Sequence, residues 1–302
     1  MFSLRFLNLV RCTKDGGALE TVSVSASETI SNGKVRCRQC GRFYRIWDGI
    51  LDLLGEDGPQ DADSRHELEL RDGSEPILRG VQGTPPSWRD VAEVDSTLRE
   101  IGSPEGKTIL ELGCGPGIYT RRLATADRLL AVDFSITALR RNLAQLPAGA
   151  RVGLVRADVG TLRLTPNAFD LALTTLYSNL PTAELRRACN RTVAAALRPG
   201  GRYVVSAHHQ DQRRILKKLP ESGYYAEGGI FYQCFTPNSL KADLTDFRIE
   251  GMRPICVEVP FISRVPNDRL RAWVARQAAA LPGVNRFGSI LIAAVAKPDP
   301  AR

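Results

Sequence analysis

The stretch ILELGCGPGIYT, residues 109–120, sets glycines and a proline between an apolar β-type run and a helical pattern. Glycines so placed remove the Cβ atoms that would hold a ligand away from the backbone. The runs TILEL (108–112), RLLAVDF (128–134), RVGLVRAD (151–158), FDLALTTL (169–176) and GRYVVSAH (201–208) are rich in Val and Leu without alternation, the pattern of buried parallel strands. Helical patterns lie between them. Ser135 caps one that carries Ile136, Leu139, Leu143 and Leu146, and Leu185, Cys189, Val193 and Leu197 lie on another that Pro199, Gly200 and Gly201 end. Five β units with helical crossovers predict an α/β fold, an open, doubly wound, Rossmann-like sheet with its ligand at the carboxyl ends of the strands. The last hundred residues add LKADLTDFRIEGMRPICVEV and RFGSILIAAVAKP, each predicting a terminal strand.

Gly113, Gly115 and Gly117 follow the first of these strands, and Asp133 ends the next one, 20 residues after Gly113. That order of strand, turn, helix, strand and acid is the geometry of a nucleoside site, in which the second-strand carboxylate accepts from ribose hydroxyls. The spacing is GxGxG, with Ile118 following, and not the GxGxxG of dinucleotide sites. Glu111 stands at the mouth of the turn. A carboxylate roughly 4 Å from a pyrophosphate charge would cost about 4 kcal/mol, about a thousandfold in affinity. The same carboxylate beside an ammonium or a sulfonium is favourable. A cationic ligand with a ribose and an adenine is S-adenosylmethionine.

ELGCGPG, AVDFS, ADVGTL and LRPGG, in this order and spacing, resemble the successive motifs of class I S-adenosylmethionine-dependent methyltransferases, over about residues 90 to 260. The resemblance implies a seven-stranded methyltransferase sheet. Carried over by position, it implies that Glu111, Gly113, Cys114, Gly115 and Gly117 line the methionine moiety. Asp133 with Phe134 would meet the ribose, and Asp158 with Val159 the adenine. Cys114 is read as a small buried filler, since nothing beside it in sequence lowers a thiol pKa.

The segment TTLYSNLP lacks both an NPPY-type sequence and a ProCys pair, which excludes the amino-group nucleic-acid and C5-pyrimidine mechanisms. His208 and His209 end the fifth strand at the rim where a methyl group would emerge, and either is a candidate general base, with Tyr177 a further one. Arg213, Arg214, Lys217 and Lys218 cluster just beyond, open between a solvated face and a site for an anionic acceptor or RNA phosphate. Residues 211–246 read as a substrate lid whose Tyr224, Tyr225, Phe231, Tyr232 and Phe235 suit a compact acceptor. The expected acceptor is a small aromatic or anionic molecule methylated on oxygen or carbon. The alternative is an rRNA or tRNA docked through the N-terminal module and the basic face.

Cys12 and Asp15, then 21 residues, then Cys37 and Cys40 have the spacing of a zinc ribbon in which CTKD replaces one CxxC. The flanks LVRC and CRQCGRFYRIWDGILDLL resemble the small ribbon protein that activates tRNA, rRNA and translation-factor methyltransferases, and the ribbon fused to rRNA guanine-N1 methyltransferases. That implies one structural zinc on Cys12, Asp15, Cys37 and Cys40. A metal-free ribbon packed on Tyr44, Ile46, Trp47 and Leu51 stays open. Apolar periodicity stops in LLGEDGPQDADS (53–64) and breaks again in QGTPPS (82–87). The expected organisation is therefore a ribbon at 1–56, an acidic connector at 57–87 and a methyltransferase unit at 88–302, opened by a helix with Val91, Val94, Leu98 and Ile101.

Net charge divides unevenly, +2 over residues 1–56, −6 over 57–107 and +12 over 108–302. The basic excess is scattered rather than striped, a weak pointer to an RNA partner. Seven unevenly spread cysteines argue against a secreted disulfide framework. No apolar run approaches the roughly 18 residues that span a bilayer. The amphipathic MFSLRFLNLVR reads as part of the first module and not as a targeting peptide, so a cytoplasmic location and no membrane partner are expected.

Overall fold

Six short strands open the chain: β1 (Phe2–Ser3), β2 (Leu19–Thr21), β3 (Thr29–Ile30), β4 (Gly33–Cys37), β5 (Phe43–Trp47) and β6 (Ile50–Asp52). Two helices follow, α1 (Ala62–Asp72) and α2 (Trp88–Ile101). Then come β7 (Thr108–Leu112), β8 (Arg128–Asp133), α3 (Ile136–Ala144), β9 (Val152–Arg156), β10 (Phe169–Thr174), α4 (Ala183–Ala196) and β11 (Leu197–His209). The chain closes with α5 (Gln212–Leu216), β12 (Ser222–Tyr224), β13 (Phe231–Phe235), α6 (Pro237–Asp243), β14 (Arg248–Val257), α7 (Asp268–Ala280) and β15 (Gly288–Ala296). This computed structural model describes residues 1–22, 28–55, 58–59, 61–73, 87–175, 177–225 and 229–299. The expected break at QGTPPS lies outside the described residues except for Ser87, as does Leu176.

The seven strands β9-β8-β7-β10-β11-β15-β14 form the expected doubly wound sheet. The first five pair in parallel, β15 runs antiparallel to β11, and β14 antiparallel to β15. Strand order reverses between β7 and β10, so a crevice opens at their carboxyl ends, where such sheets bind ligands. Ser135 caps α3 by accepting from the Ala138 amide, as its position in the sequence suggests.

The sheet does not stop at β9. Strand β6 adds to it in parallel, Ile50 against Leu154 and Asp52 against Arg156, and β5, β4 and β2 continue it antiparallel. The N-terminal strands therefore cover an edge that would otherwise present a row of unpaired backbone groups. Phe6 seals the join from one side: a Cβ at Gly153 would lie 2.5 Å from its ring, so glycine is needed there. One buried cluster runs from Phe2, Val10 and Tyr44 through to Val155, Leu162 and Phe169. MFSLRFLNLVR is accordingly structure, a 3-10 turn over Leu4–Leu9 with Phe6, Leu7 and Leu9 inside. Tyr44, Ile46 and Leu51 are buried as expected, but Trp47 on the outer face of β5 is 54% exposed and packs no core.

The acidic connector supplies α1, whose Asp72 accepts from Ser135 Oγ at 2.6 Å and from the Thr137 amide at 3.0 Å, at the start of α3. Strand β13 joins the tip of β11, Cys234 beside His208 and Phe235 beside His209. Among the described residues no helix is long and apolar enough to cross a membrane.

Candidate functional site

The turn after β7 is shaped by three left-handed glycines, Gly113, Gly115 and Gly117, with φ of 69°, 51° and 90°. A Cβ at Gly117 would sit 2.4 Å from Asn142 Oδ1, so α3 packs directly on the turn. Asp133 ties the turn to β8. Its carboxylate accepts from the Gly115 amide at 2.8 Å and the Ser135 amide at 2.9 Å. Burial nevertheless raises its pKa, against the pull of the Arg71 guanidinium and those two amides.

A slot opens beside this turn, and of the residues the sequence assigned to the cofactor, Gly113, Asp133, Phe134, Asp158 and Val159 line it while Cys114, Gly115 and Gly117 do not; Leu112, Leu185 and Cys189 complete apolar walls, with Thr174 beside them. Asp158 also holds its own loop, accepting from the Gly160 amide at 2.9 Å. Three acidic residues stand on the wall of the slot, Asp133 and Asp158 from the sheet and Glu67 from α1. Its volume is 60 Å³, well below the roughly 300 Å³ at which small-molecule sites begin. Pro59, Ser64 and Glu67 of the connector close one side. Glu67 is buried with Arg71, the Arg71 Nε donating to its carboxylate at 2.6 Å. Sequence reasoning missed these residues because the connector shows no apolar stripe; what α1 buries is an ion pair.

Glu111 departs from expectation. Successive strand residues face opposite sides, and with Leu112 on the slot, Glu111 lies beneath the turn, 2% exposed. It accepts from Thr120 Oγ1 at 2.8 Å, and Asn142 Nδ2 donates to that same hydroxyl at 2.9 Å. Burial pushes its pKa up to about 8. It therefore braces the turn as a protonated acid and does not line the slot. Cys114 is buried with its thiol pKa pushed well up, an inert filler as expected.

Tyr177 also departs from expectation. Its ring is fully buried against Phe235 at 5.6 Å, and its hydroxyl accepts from Asn190 Nδ2 at 2.9 Å and donates to Asp243 Oδ2 at 3.3 Å. Burial, with the Asp243 charge beside it, raises its pKa far above the usual phenol value, which removes it as a base. The short turn Tyr177–Asn179 turns Tyr177 inward and puts Asn179 on the slot instead.

His208 and His209 do meet, on the wall of a 720 Å³ cavity at the end of β11. Tyr224, Tyr225 and Tyr232 of the hairpin face them. His209 is 5% exposed, and its Nδ1 lies 2.6 Å from the Gly288 carbonyl oxygen. A carbonyl can only accept, so Nδ1 carries the proton and Nε2 the lone pair. Burial lowers the His209 pKa, which keeps the ring neutral. The Tyr225 hydroxyl sits 3.0 Å from His208 Nδ1. Of the expected basic cluster Arg213 is ion-paired, with Asp211 at 2.9 Å and Glu258 at 3.0 Å, whereas Arg214 donates to the uncharged Gln210 Oε1 and Pro220 carbonyl and keeps its charge, and Lys217 and Lys218 are exposed.

In the N-terminal module, the thiol sulfurs of Cys12, Cys37 and Cys40 and a carboxylate oxygen of Asp15 all lie within 4.8 Å of one another, a group that could hold a metal ion. Matching turns present them, with the Gly16 amide donating to the Cys12 carbonyl at 2.9 Å and the Gly41 amide to the Cys37 carbonyl at 3.1 Å. The Gln39 and Cys40 amides point at Cys37 Sγ, at 3.3 and 3.5 Å. The Gly17 amide holds the Asp15 carboxyl below the usual carboxylate range, so it stays ionised.

Residues 109–201 match the family described as a methyltransferase domain. The chain is 31% identical over 177 residues to phosphoethanolamine N-methyltransferase 1 of Zea mays, covering 54% of this chain and 34% of that protein. It thus spans about a third of the length of the curated relatives it matches. The fold is that of the N-methyltransferase NodS from Bradyrhizobium japonicum, solved with S-adenosyl-L-homocysteine (TM-score 0.52, 15% identity, 79% of this chain and 100% of that one). It is also that of an S-adenosylmethionine-dependent methyltransferase from Mesorhizobium loti (TM-score 0.50, 23% identity, 68% of this chain and 97% of that one). The matched segment holds the glycine turn, Asp133 and Asp158.

Proposed function

We propose that the chain transfers a methyl group from S-adenosylmethionine to a small aromatic acceptor bound in the 720 Å³ cavity. The observation that carries this reading is His209, neutral and fixed by Gly288 in the tautomer that leaves Nε2 basic, on the wall of that cavity. Bound in the slot, the cofactor supplies an electrophilic methyl group on a sulfonium. Asp133 and Asp158 would hold its ribose and adenine, the glycine turn its amino-acid end, and Leu112, Phe134 and Leu185 would exclude water. His209 takes the proton from a hydroxyl or acidic carbon of the acceptor as that atom becomes nucleophilic, a role worth about 10²- to 10⁴-fold. The tyrosines offer ring faces for an aromatic acceptor. With Arg89 and Arg213 ion-paired, Arg214 and Lys217 are the cations of the lining without an ion pair among the described residues, enough for a small anionic group and few for an RNA backbone.

Incubation with radiolabelled cofactor and separated small-molecule, RNA and protein extracts tests this. Label in the small-molecule fraction is expected, and label confined to RNA overturns the acceptor.

The cysteine cluster supports a structural zinc. Cys12 Sγ and Cys40 Sγ are 3.6 Å apart, close to the about 3.8 Å between sulfurs that each sit 2.3 Å from a tetrahedral zinc. Four protein ligands leave no open position for water chemistry. Metal analysis should give one zinc per chain, and Cys37→Ser should lower stability far more than it lowers the activity of the folded fraction.

A further inference from the structure

A 560 Å³ cavity lies where the first zinc-type turn meets the methyltransferase sheet, lined by Arg11, Arg163 and Arg191 with Gly16 and Thr161 among its neighbours. The arginines come from separate pieces of the fold. Arg11 belongs to the ribbon and is bonded by its amide to the Arg163 carbonyl at 2.9 Å. Arg163 follows β9, and a Cβ at Gly16 would lie 3.7 Å from its Nη1. Arg191 stands on the exposed face of α4. Among the described residues the lining contains no Asp or Glu, and none of the three guanidinium groups has an ion-pair or hydrogen-bond partner. Arginines of this chain are elsewhere commonly paired: Arg186 with Asp243, Arg202 with Glu250, Arg253 with Glu100.

We infer that this cavity is a binding site for a phosphate-bearing anion. Gathering three always-charged groups without a carboxylate leaves mutual repulsion that a polyvalent anion removes. Guanidinium forks match the several oxygens of a phosphate better than a single carboxylate does. The volume exceeds what inorganic phosphate fills, so the ligand carries a further phosphate or an organic group. Occupancy would join ribbon to methyltransferase unit, and it reaches the cofactor slot through one loop: the Thr161 and Leu162 amides donate to the Asp158 carbonyl at 3.1 and 2.9 Å.

Calorimetric titration of the full chain with inorganic pyrophosphate in about 50 mM salt is the test. One saturable site is expected, weakened at least tenfold in Arg163→Gln/Arg191→Gln and unchanged in the paired-arginine control Arg253→Gln. Thermal unfolding confirms that each variant folds, and Arg191→Gln alone serves where the double variant does not. A single-stranded ten-nucleotide RNA forms the second arm. Tighter RNA binding that falls with the same variants assigns the phosphate to nucleic acid, and RNA no tighter than pyrophosphate assigns it to a free phosphate compound. Absence of saturable binding by both probes, or parental affinity in the folded variants, overturns the inference.

Discussion

The slot and the acceptor cavity share the carboxyl edge of the sheet and are built in opposite ways. The slot is narrow, and its carboxylates are anchored by backbone amides of the turns that carry them, Asp133 by Gly115 and Ser135, Asp158 by Gly160. The cavity is some twelve times larger, 720 against 60 Å³, and its walls are side chains drawn from α2, β11, the β12–β13 hairpin and the last strands. Backbone-anchored recognition tolerates little change. A wall of tyrosines and ion-paired arginines can be altered one residue at a time without touching the cofactor. On the proposed function, the difference separates what must stay fixed, the methyl donor, from what can vary, the acceptor.

His209→Gln probes the cavity side with the largest expected effect. It keeps an amide N–H for Gly288 but has no basic nitrogen, so kcat should fall about 100- to 1,000-fold with little change in KM. Because burial lowers the His209 pKa, the active neutral form should persist through neutral pH, and the parent's kcat should decline only on the acid side, below the ordinary histidine value of about 6.5. A flat profile down to pH 5, or an unchanged kcat in the variant, would remove His209 from the chemistry.

Asp133→Ala probes the slot. The variant loses the proposed ribose contact and leaves the buried Gly115 and Ser135 amides without their acceptor. Loss of a charged hydrogen bond costs about 1.5–3 kcal/mol, which corresponds to about 10- to 150-fold in affinity. Calorimetry with S-adenosyl-L-homocysteine measures it. Turnover at saturating cofactor should change less than affinity, the reverse of the His209 pattern, and similar patterns in both variants would erase the distinction between the cavities.

How legible each region was in the sequence follows from the same contrast. The turn, Asp133 and Asp158 lie in contiguous segments whose spacing fixes their place on the sheet, so a reading of 109–160 locates them. Spacing does not say which face of a strand a residue takes, and Glu111, one residue from slot-lining Leu112, went to the other side. Nor does it reveal that a 3-10 turn buries Tyr177 and exposes Asn179 to the slot. The gathering of Cys12, Asp15, Cys37 and Cys40 was readable from their spacing. The edge pairing of β6 with β9 was not, because Ile50–Asp52 gives no sign of its partner. Helix α1 was hidden for a different reason, since burying Glu67 with Arg71 looks in sequence like a solvated charge run.

Glu111→Gln sharpens the correction at the turn. Glu111 has a folded pKa raised to about 8, so its contribution to stability is fully present below its unfolded value of about 4.5 and is lost as pH rises through 8. Relative to the variant, which keeps the acceptor for Thr120 and never ionises, the parent should lose on the order of 1 kcal/mol per pH unit across pH 5–8. Urea unfolding of both proteins across this range gives the difference directly. Parallel stability curves would mean that Glu111 is ionised at neutral pH and returns it to the list of charges facing the cofactor.

The smallest effect asks whether the two cavities are independent. Tyr224 lines the acceptor cavity, and its hydroxyl donates at 2.8 Å to Asp63 of α1, the helix that closes the slot. The slot is narrow, 60 Å³, and α1 is the wall of it that comes from a connector and not from the sheet. A bond from the acceptor hairpin to that wall couples cofactor release to hairpin position. Exposed hydrogen bonds contribute about 0.5–1.5 kcal/mol, so Tyr224→Phe should speed S-adenosyl-L-homocysteine dissociation by about two- to tenfold in stopped-flow measurements. Tyr225→Phe, which removes only the hydroxyl beside His208, should leave that rate alone. Equal rates in all three proteins would show that the hairpin and α1 move separately, and that the rigid and the variable cavity share an edge without sharing a mechanism.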